Sequence, residues 1–303
     1  MRTQAHDTVG VIGLGIMGGA MAQALLAAGR DVCGYDVRAP ARRRLKKAGG
    51  RLLASSAAVA ARADIVITSL ATVEALAEVT RQIAHAGRNG GHRTRIVIET
   101  STLSLADKER AMRTLQHLGI AMLDCPISGT AVRMKEGAWT IFASGKRAAF
   151  QRILPLLNVF TQNVRYVGGF GNGMKMKFIA NHLVAIYNVA AGEALTFAAK
   201  MGLDPRAVLD VFGPSPVVGN GVLRLRGRMM AEGKYAPATM KVAVWQKDMQ
   251  VIGDMARAVG SPTPLFSACI PVYNAAMAQG MAEADTASVH AVLGRMAGIR
   301  ATE

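Results

Sequence analysis

The feature that most narrows what this 303-residue chain can fold into is a glycine triplet set between a strand and a helix. Val9 to Leu14 is a short apolar run, and Gly13-Leu14-Gly15-Ile16-Met17-Gly18 has the pattern G-x-G-x-x-G. Ile16 to Ala28 reads as a helix of small and apolar residues closed by Gly29, and Asp31 to Asp36 reads as a second strand. Glycine is frequent in this chain (32 residues), so the triplet alone is a weak signal. Its setting strengthens it: a strand precedes, a helix follows, and Asp36 stands 18 residues after Gly18. In such a unit Gly13 permits the tight turn, Gly15 lets the backbone approach a pyrophosphate, and Gly18 lets helix and strand pack closely. The free N–H groups of the helix N-terminus then face the phosphates.

Asp36 bears on which dinucleotide fits. A carboxylate there accepts hydrogen bonds from the adenosine ribose hydroxyls and repels a 2′-phosphate, which favours NAD. Arg38, Arg42 and Arg43 follow closely and could hold that phosphate, or could form a solvated helix face, so NADP stays open.

The alternation continues beyond the motif. Helices are expected at Ala39–Lys47, Val73–His85 and Leu105–Leu118, and strands at Asp64–Leu70, Arg95–Glu99 and Ile120–Asp124. Strands that are apolar throughout and separated by helices indicate a parallel sheet covered on both faces. Ala138–Ser144 and Val164–Val167 add two further strands. From Gly171 onward the pattern is helical: Met174–Lys200 as one long helix, then Pro205–Phe212, Leu223–Met230, Val242–Val259, Leu265–Met281 and Ser288–Met296. The expected fold is an α/β N-terminal Rossmann domain with a mostly parallel sheet, residues 1–168. An all-α domain, residues 169–303, is joined to it through the long helix.

Composition excludes several classes of protein. Hydrophobic residues make up 51% and charged residues 18%, too apolar for a disordered chain. Cys33, Cys125 and Cys269 are far apart, which leaves no disulfide framework and no CxxC pair and fits a cytoplasmic protein. The six histidines, His6 among them, form no metal-spaced pair, so no metal is expected. Thr8–Gly29 is uncharged, but its glycines follow a turn motif and Arg2 alone makes a poor signal-peptide start. Ala258–Ala282 is also uncharged and holds three prolines. Both read as buried elements rather than membrane spans. The net charge of +16 suits anionic ligands. Aromatics at 5% and the lack of a basic tail speak against nucleic acid. No GxSxG elbow surrounds Ser128, which disfavours acyl-enzyme chemistry.

Five stretches taken in order resemble the β-hydroxyacid dehydrogenases, the family of 3-hydroxyisobutyrate dehydrogenase and tartronate semialdehyde reductase. They are Gly13–Gly18, Glu99-Thr-Ser-Thr102, Asp124-Cys-Pro-Ile-Ser-Gly-Thr130, Gly171–Asn181 and Lys247-Asp248. The resemblance implies a hydride transfer between NAD(P) and a small 3-hydroxy carboxylic acid or its semialdehyde. It makes Lys177 the general acid/base, with Asn181 orienting the substrate one helical turn later. Burial and nearby positive charge are what bring a lysine towards its working pH.

The third stretch is the family's substrate loop, in which Ser128 and the amides of Gly129 and Thr130 would hold a carboxylate. Cys125 and Thr130 replace the family's usual Ala and second Gly, and without the family this stretch would read as a turn. Leu70, Ser101, Thr102 and Lys247 would line the cofactor site, although Ser101 and Thr102 also stand where a helix N-cap falls. His182 is either a proton-relay partner of Lys177 or an ordinary helix histidine, and Lys175 has no role.

The resemblance further implies a homodimer or homotetramer held by the helical half. Two rival readings remain: imine reduction, whose enzymes replace the lysine, and a non-catalytic basic binding protein with a dehydrogenase fold.

Overall fold

The computed structural model describes residues 7–88, 91–131, 134 and 137–299; Arg2 and His6 lie outside them. The chain divides into two compact units, Met1–Lys177 and Phe178–Glu303.

The first unit is built on six parallel strands: β1 (Val9–Ile12), β2 (Val32–Tyr35), β3 (Arg51–Leu52), β4 (Ile65–Thr68), β5 (Ile96–Glu99) and β6 (Ala121–Asp124). They lie in the order β3-β2-β1-β4-β5-β6. That order places the topological switch beside β1, where open α/β sheets bind ligands at the carboxyl ends of their strands. All four residues of β1, β4 and β5 are buried, so each of these strands is covered on both faces. Helices α1 (Ile16–Ala27), α2 (Ala39–Lys47), α3 (Ser56–Arg62), α4 (Val73–Arg88) and α5 (Leu105–Gln116) make the crossovers. Helix α1 buries Gly18, Met21, Ala22 and Leu25, the i, i+3, i+4, i+7 stripe of a helix packed on a sheet.

A second, three-stranded sheet extends this unit: β7 (Ile127–Ser128), β8 (Thr140–Ala143) and β9 (Val164–Tyr166), with α6 (Arg147–Leu157) between β8 and β9. An isolated bridge, Asp124 with Ser144, links β6 to the end of β8.

Several elements differ from the sequence reading. Strand β3, helix α3 and helix α6 are additional. Strand β3 is two exposed residues with no alternation to read. Helix α3 is seven mostly small residues, and Pro155 interrupts the apolar period of α6. The stretch after Pro126 is not a simple turn, because Ile127 and Ser128 pair antiparallel with Ile141 and Thr140.

Helix α7 (Asn172–Lys200) is 29 residues long and begins in the first unit. The second unit continues it with α8 (Pro205–Phe212), α9 (Gly221–Glu232), α10 (Val242–Ala258), α11 (Pro264–Ala278) and α12 (Val289–Met296). A single 3-10 turn at Thr286–Ser288 precedes α12. Asp204 caps α8, with Pro205 at the first helical position, and Asn220 caps α9, which ends on left-handed Gly233. Inside this unit Asn188 on α7 donates to Tyr273 Oη on α11 (3.1 Å) and to the Thr286 carbonyl (2.7 Å). Arg226 and Asp285 form a buried ion pair at 3.0 Å. Among the described residues no helix is long and apolar enough to cross a membrane.

Candidate active site

The glycine loop is shaped by contacts that leave no room for a side chain at two of its three glycines. Gly13 has φ +87°, and a Cβ there would lie 2.2 Å from the Ser69 carbonyl oxygen. A Cβ on Gly18 would lie 1.9 Å from the Gly13 carbonyl oxygen. At Gly15 a Cβ would meet only Arg38 Nη2, at 3.2 Å, so the backbone there is open. Gly15 is also the N-cap of α1 and offers no side-chain acceptor to the first-turn N–H groups. An open glycine over uncapped amides is the cradle a pyrophosphate requires, so these residues fit a dinucleotide. Ile16 is 78% exposed, Met17 is partly buried, and the Leu14 side chain is buried in the core, so Leu14 has only its backbone to offer.

Asp36 follows β2 and is buried. Its Oδ2 accepts from Leu14 N (2.7 Å) and its Oδ1 from Arg38 N (2.8 Å), while the Arg38 guanidinium lies 3.2 Å away. Burial opposes its ionisation, but the hydrogen bonds from the Arg38 side chain and backbone and from Leu14 outweigh it. The carboxyl is held below the usual aspartate range. Arg42 turns from solvent to donate to the carbonyls of Asp36 (3.0 Å) and Val37 (3.2 Å).

Leu70 and Ser101 meet beyond the ends of β4 and β5, where Ser101 Oγ accepts from Leu70 N at 2.8 Å. The N-cap of α5 is Ser104, which accepts from Asp107 N, so the capping alternative for Ser101 and Thr102 is not realised. Thr102 is half-buried on the same loop.

Ser128 ends β7, and Gly129 has φ +133°, with a would-be Cβ 2.6 Å from Trp139 Cδ1. Trp139, fully buried, donates from Nε1 to the Thr130 carbonyl at 2.7 Å, which fixes the loop. Thr130 Oγ1 is buried with no hydrogen-bond partner among the described residues.

Lys177 lies on the second turn of α7 and is 9% exposed, whereas Lys175 points to solvent. The start of α7 is pinned by Asp124: Oδ2 accepts from Met174 N (2.7 Å), and Gly173 N donates to Ser144 Oγ (2.9 Å). In the second unit Asn181 is buried and donates from Nδ2 to Asp248 Oδ2 at 2.9 Å. Lys247 Nζ lies 3.4 Å from Asp248 Oδ1. Asp248 therefore orients both predicted polar groups of that unit, a role the sequence reading did not give it although it had singled out the Lys247-Asp248 pair. His182 stacks on Phe266, ring centroids 5.2 Å apart, which accounts for it without a proton relay.

All three cysteines are buried and free. Burial pushes the Cys33 thiol up to about 11 against the pull of Arg62, and pushes Cys125 up further, so neither is reactive.

The strand order, the glycine loop and the carboxylate behind it define a Rossmann-type dinucleotide-binding protein. The family model for the NAD binding domain of 6-phosphogluconate dehydrogenase matches residues 8–168. The model for the NAD-binding domain of NADP-dependent 3-hydroxyisobutyrate dehydrogenase matches residues 171–293. The chain is 32% identical to an L-threonate dehydrogenase of Cupriavidus necator over 287 residues, 93% of this chain and 94% of that one. It superposes on a Mycobacterium tuberculosis 3-hydroxyisobutyrate dehydrogenase structure containing L-serine, with TM-score 0.85 and 25% identity over 95% of this chain and 99% of that chain. A Pseudomonas imine reductase shares the fold alone, at 19% identity and TM-score 0.58, over 95% of this chain and 100% of that one. The chain belongs to the β-hydroxyacid dehydrogenase family. It is an NAD(P)-dependent hydroxyacid dehydrogenase.

Proposed function

We propose that the protein moves a hydride between NAD and a small 3-hydroxy carboxylate or its semialdehyde, with Lys177 as the proton donor and acceptor. The observation that carries this reading is a buried lysine on a helix whose first turn is fastened to Asp124. A solvated lysine is free to roam; this one is held. When bound, NAD(P) supplies or accepts the hydride. Lys177 gives its proton to the carbonyl oxygen during reduction and removes it from the hydroxyl during oxidation. Ser128 Oγ and the amides of Gly129 and Thr130 receive the substrate carboxylate, on a loop held in shape by Trp139. Asn181, oriented by Asp248, binds the substrate hydroxyl or carboxylate. Gly13 to Gly18, Leu70, Ser101, Thr102 and Lys247 hold the cofactor.

The preference for NAD rests on Asp36, a carboxylate kept ionised at the ribose position. Arg38 and Arg42 spend hydrogen bonds on Asp36 and its backbone, which supports reading them as partners of that loop rather than as a 2′-phosphate site. The division at residue 168, a cytoplasmic setting and a homodimer or homotetramer belong to the same proposal. Phe197, Met201, Leu203, Val211 and Val217, all exposed on the helical unit, support the oligomer. A nucleic-acid partner has no support beyond the net charge.

The test is a screen of 3-hydroxyisobutyrate, glycerate, threonate and the corresponding semialdehydes with NAD and NADP, following reduced-nicotinamide absorbance. We expect turnover of at least one acid with a higher kcat/KM for NAD. Salt-sensitive DNA retention with no turnover would favour the non-catalytic reading instead.

A further inference from the structure

Helix α5 carries a charged residue where its core stripe should be apolar. Lys108, Ala111 and Leu115 are its buried positions, and Lys108 is fully buried. Its Nζ lies 2.7 Å from Asp124 Oδ1 and 3.8 Å from Glu99 Oε1. Glu99 and Asp124 are register partners at the carboxyl ends of β5 and β6. Neighbouring strands run about 4.8 Å apart, so two fully buried carboxylates would otherwise face each other across one strand spacing. The ammonium of Lys108 separates and pairs them.

Each carboxylate holds part of the site with its remaining lone pairs. Asp124 Oδ2 takes Met174 N, and Ser144 Oγ donates to the Asp124 carbonyl (3.1 Å) while it accepts from Gly173 N. Gly173 has no slack, because a Cβ there would lie 2.4 Å from the Phe142 carbonyl oxygen and 2.7 Å from that of Asp124. The start of α7, three residues before Lys177, is thus set against the Asp124 carboxylate. Glu99 Oε1 takes Ser101 N (2.7 Å), Thr68 Oγ1 donates to Oε2, and Ser101 in turn receives Leu70 N.

We propose that Lys108 is a positioning residue of the reaction: by locking Asp124 and Glu99 it fixes the first turn of α7, and with it Lys177, together with the Ser101–Leu70 edge. The proposal rests on the role given to Lys177 above. A misplacement of about 1 Å at a reacting group lowers rate about 100-fold, which is the lever Lys108 controls.

The test uses the full chain as wild type, Lys108→Met and Lys108→Met/Glu99→Gln. The double variant removes one carboxylate charge with the ammonium, so it buries less unpaired charge than the single variant. Two readouts are taken. Amide exchange by mass spectrometry follows the peptide covering 171–178 and, as control, that covering 9–14. Steady-state oxidation follows 3-hydroxyisobutyrate, unlabelled and deuterated at its carbinol carbon.

In whichever variant is recovered folded, we expect exchange in 171–178 to rise about tenfold or more with 9–14 unchanged. We expect kcat to fall about 30-fold or more, KM and cofactor Kd to move less than about threefold, and the isotope effect on kcat to grow. A kcat within about twofold of wild type, exchange that rises equally in both peptides, or failure of both variants to fold overturns the proposal. A wild type that does not oxidise 3-hydroxyisobutyrate counts against the substrate reading alone. Exchange then decides on Lys108: local acceleration supports the anchoring and its absence overturns it.

Discussion

The sheet edge of the first unit and the helices of the second place their glycines and their buried charge differently. In the first, glycines at the carboxyl edge of the sheet are places where backbone meets backbone: Gly13, Gly18 and Gly173 each sit where a Cβ would come within 2.4 Å of a carbonyl oxygen. Its buried carboxylates Asp36, Glu99 and Asp124 cluster at the strand ends and accept from backbone amides of the site loops. In the helical unit Gly253 lies inside α10, where a Cβ would meet only Arg257 Nη1, at 3.7 Å. The buried Arg226–Asp285 pair there ties α9 to the 3-10 turn. A parallel sheet brings many chain ends to one edge, and that edge must be built tightly before it can bind anything. A helix satisfies its backbone internally, so the middle of α10 leaves Gly253 room. Gly219, in the turn before α9, is as crowded as the sheet-edge glycines, a Cβ there lying 2.4 Å from the Ser215 carbonyl oxygen.

Five substitutions probe that contrast. The largest effect is expected for Lys177→Ala, with kcat lower by about 10²- to 10⁴-fold and cofactor affinity unchanged by fluorescence titration. Lys175→Ala, exposed on the same helix, should stay within about twofold in rate. An active Lys177→Ala enzyme would remove the assigned mechanism.

Gly18→Ala drives a methyl against the Gly13 carbonyl and should abolish measurable NAD binding, at a stability cost of about 3 kcal/mol by denaturant unfolding. Tight NAD binding by this variant would show that the loop can open.

Asp285→Asn tests the buried pair of the helical unit. Burial opposes ionisation of Asp285, but Arg226 and the donors at Ala287, Thr239 and Met240 outweigh it and hold its carboxyl below the usual aspartate range. A folded-state value below the unfolded one contributes stability above the unfolded value of about 3.9. That stability is lost as pH falls through the folded value. The variant should therefore lose about 3 kcal/mol at pH 7, with the difference from wild type shrinking below about pH 4. A loss constant from pH 3 to pH 8 would refute the ionic account.

The smallest effect has the opposite sign. Gly253→Ala should stabilise the protein by about 0.5–1 kcal/mol, because helix interiors favour alanine and nothing obstructs the methyl. Destabilisation would mean that Gly253 is as constrained as the glycines at the sheet edge.

The sequence alone determined what is local. The G-x-G-x-x-G turn, the spacing to Asp36, the alternation of apolar strands with helices and the four-residue step from Lys177 to Asn181 all follow from chain geometry within one or two elements. Tertiary structure decided what depends on which chain ends come together. Lys108 sits in an ordinary-looking polar helix, and only the registry of β5 with β6 turns it into the cation between Glu99 and Asp124. Trp139 acts on Thr130 only once β7 and β8 have paired, and Ser101 comes between Glu99 and Leu70 only once β4 and β5 have paired. Hydrophobic periodicity records which side of an element is buried. It carries no record of which distant polar atom waits there, and that partner decides whether a buried charge destabilises the chain or builds the site.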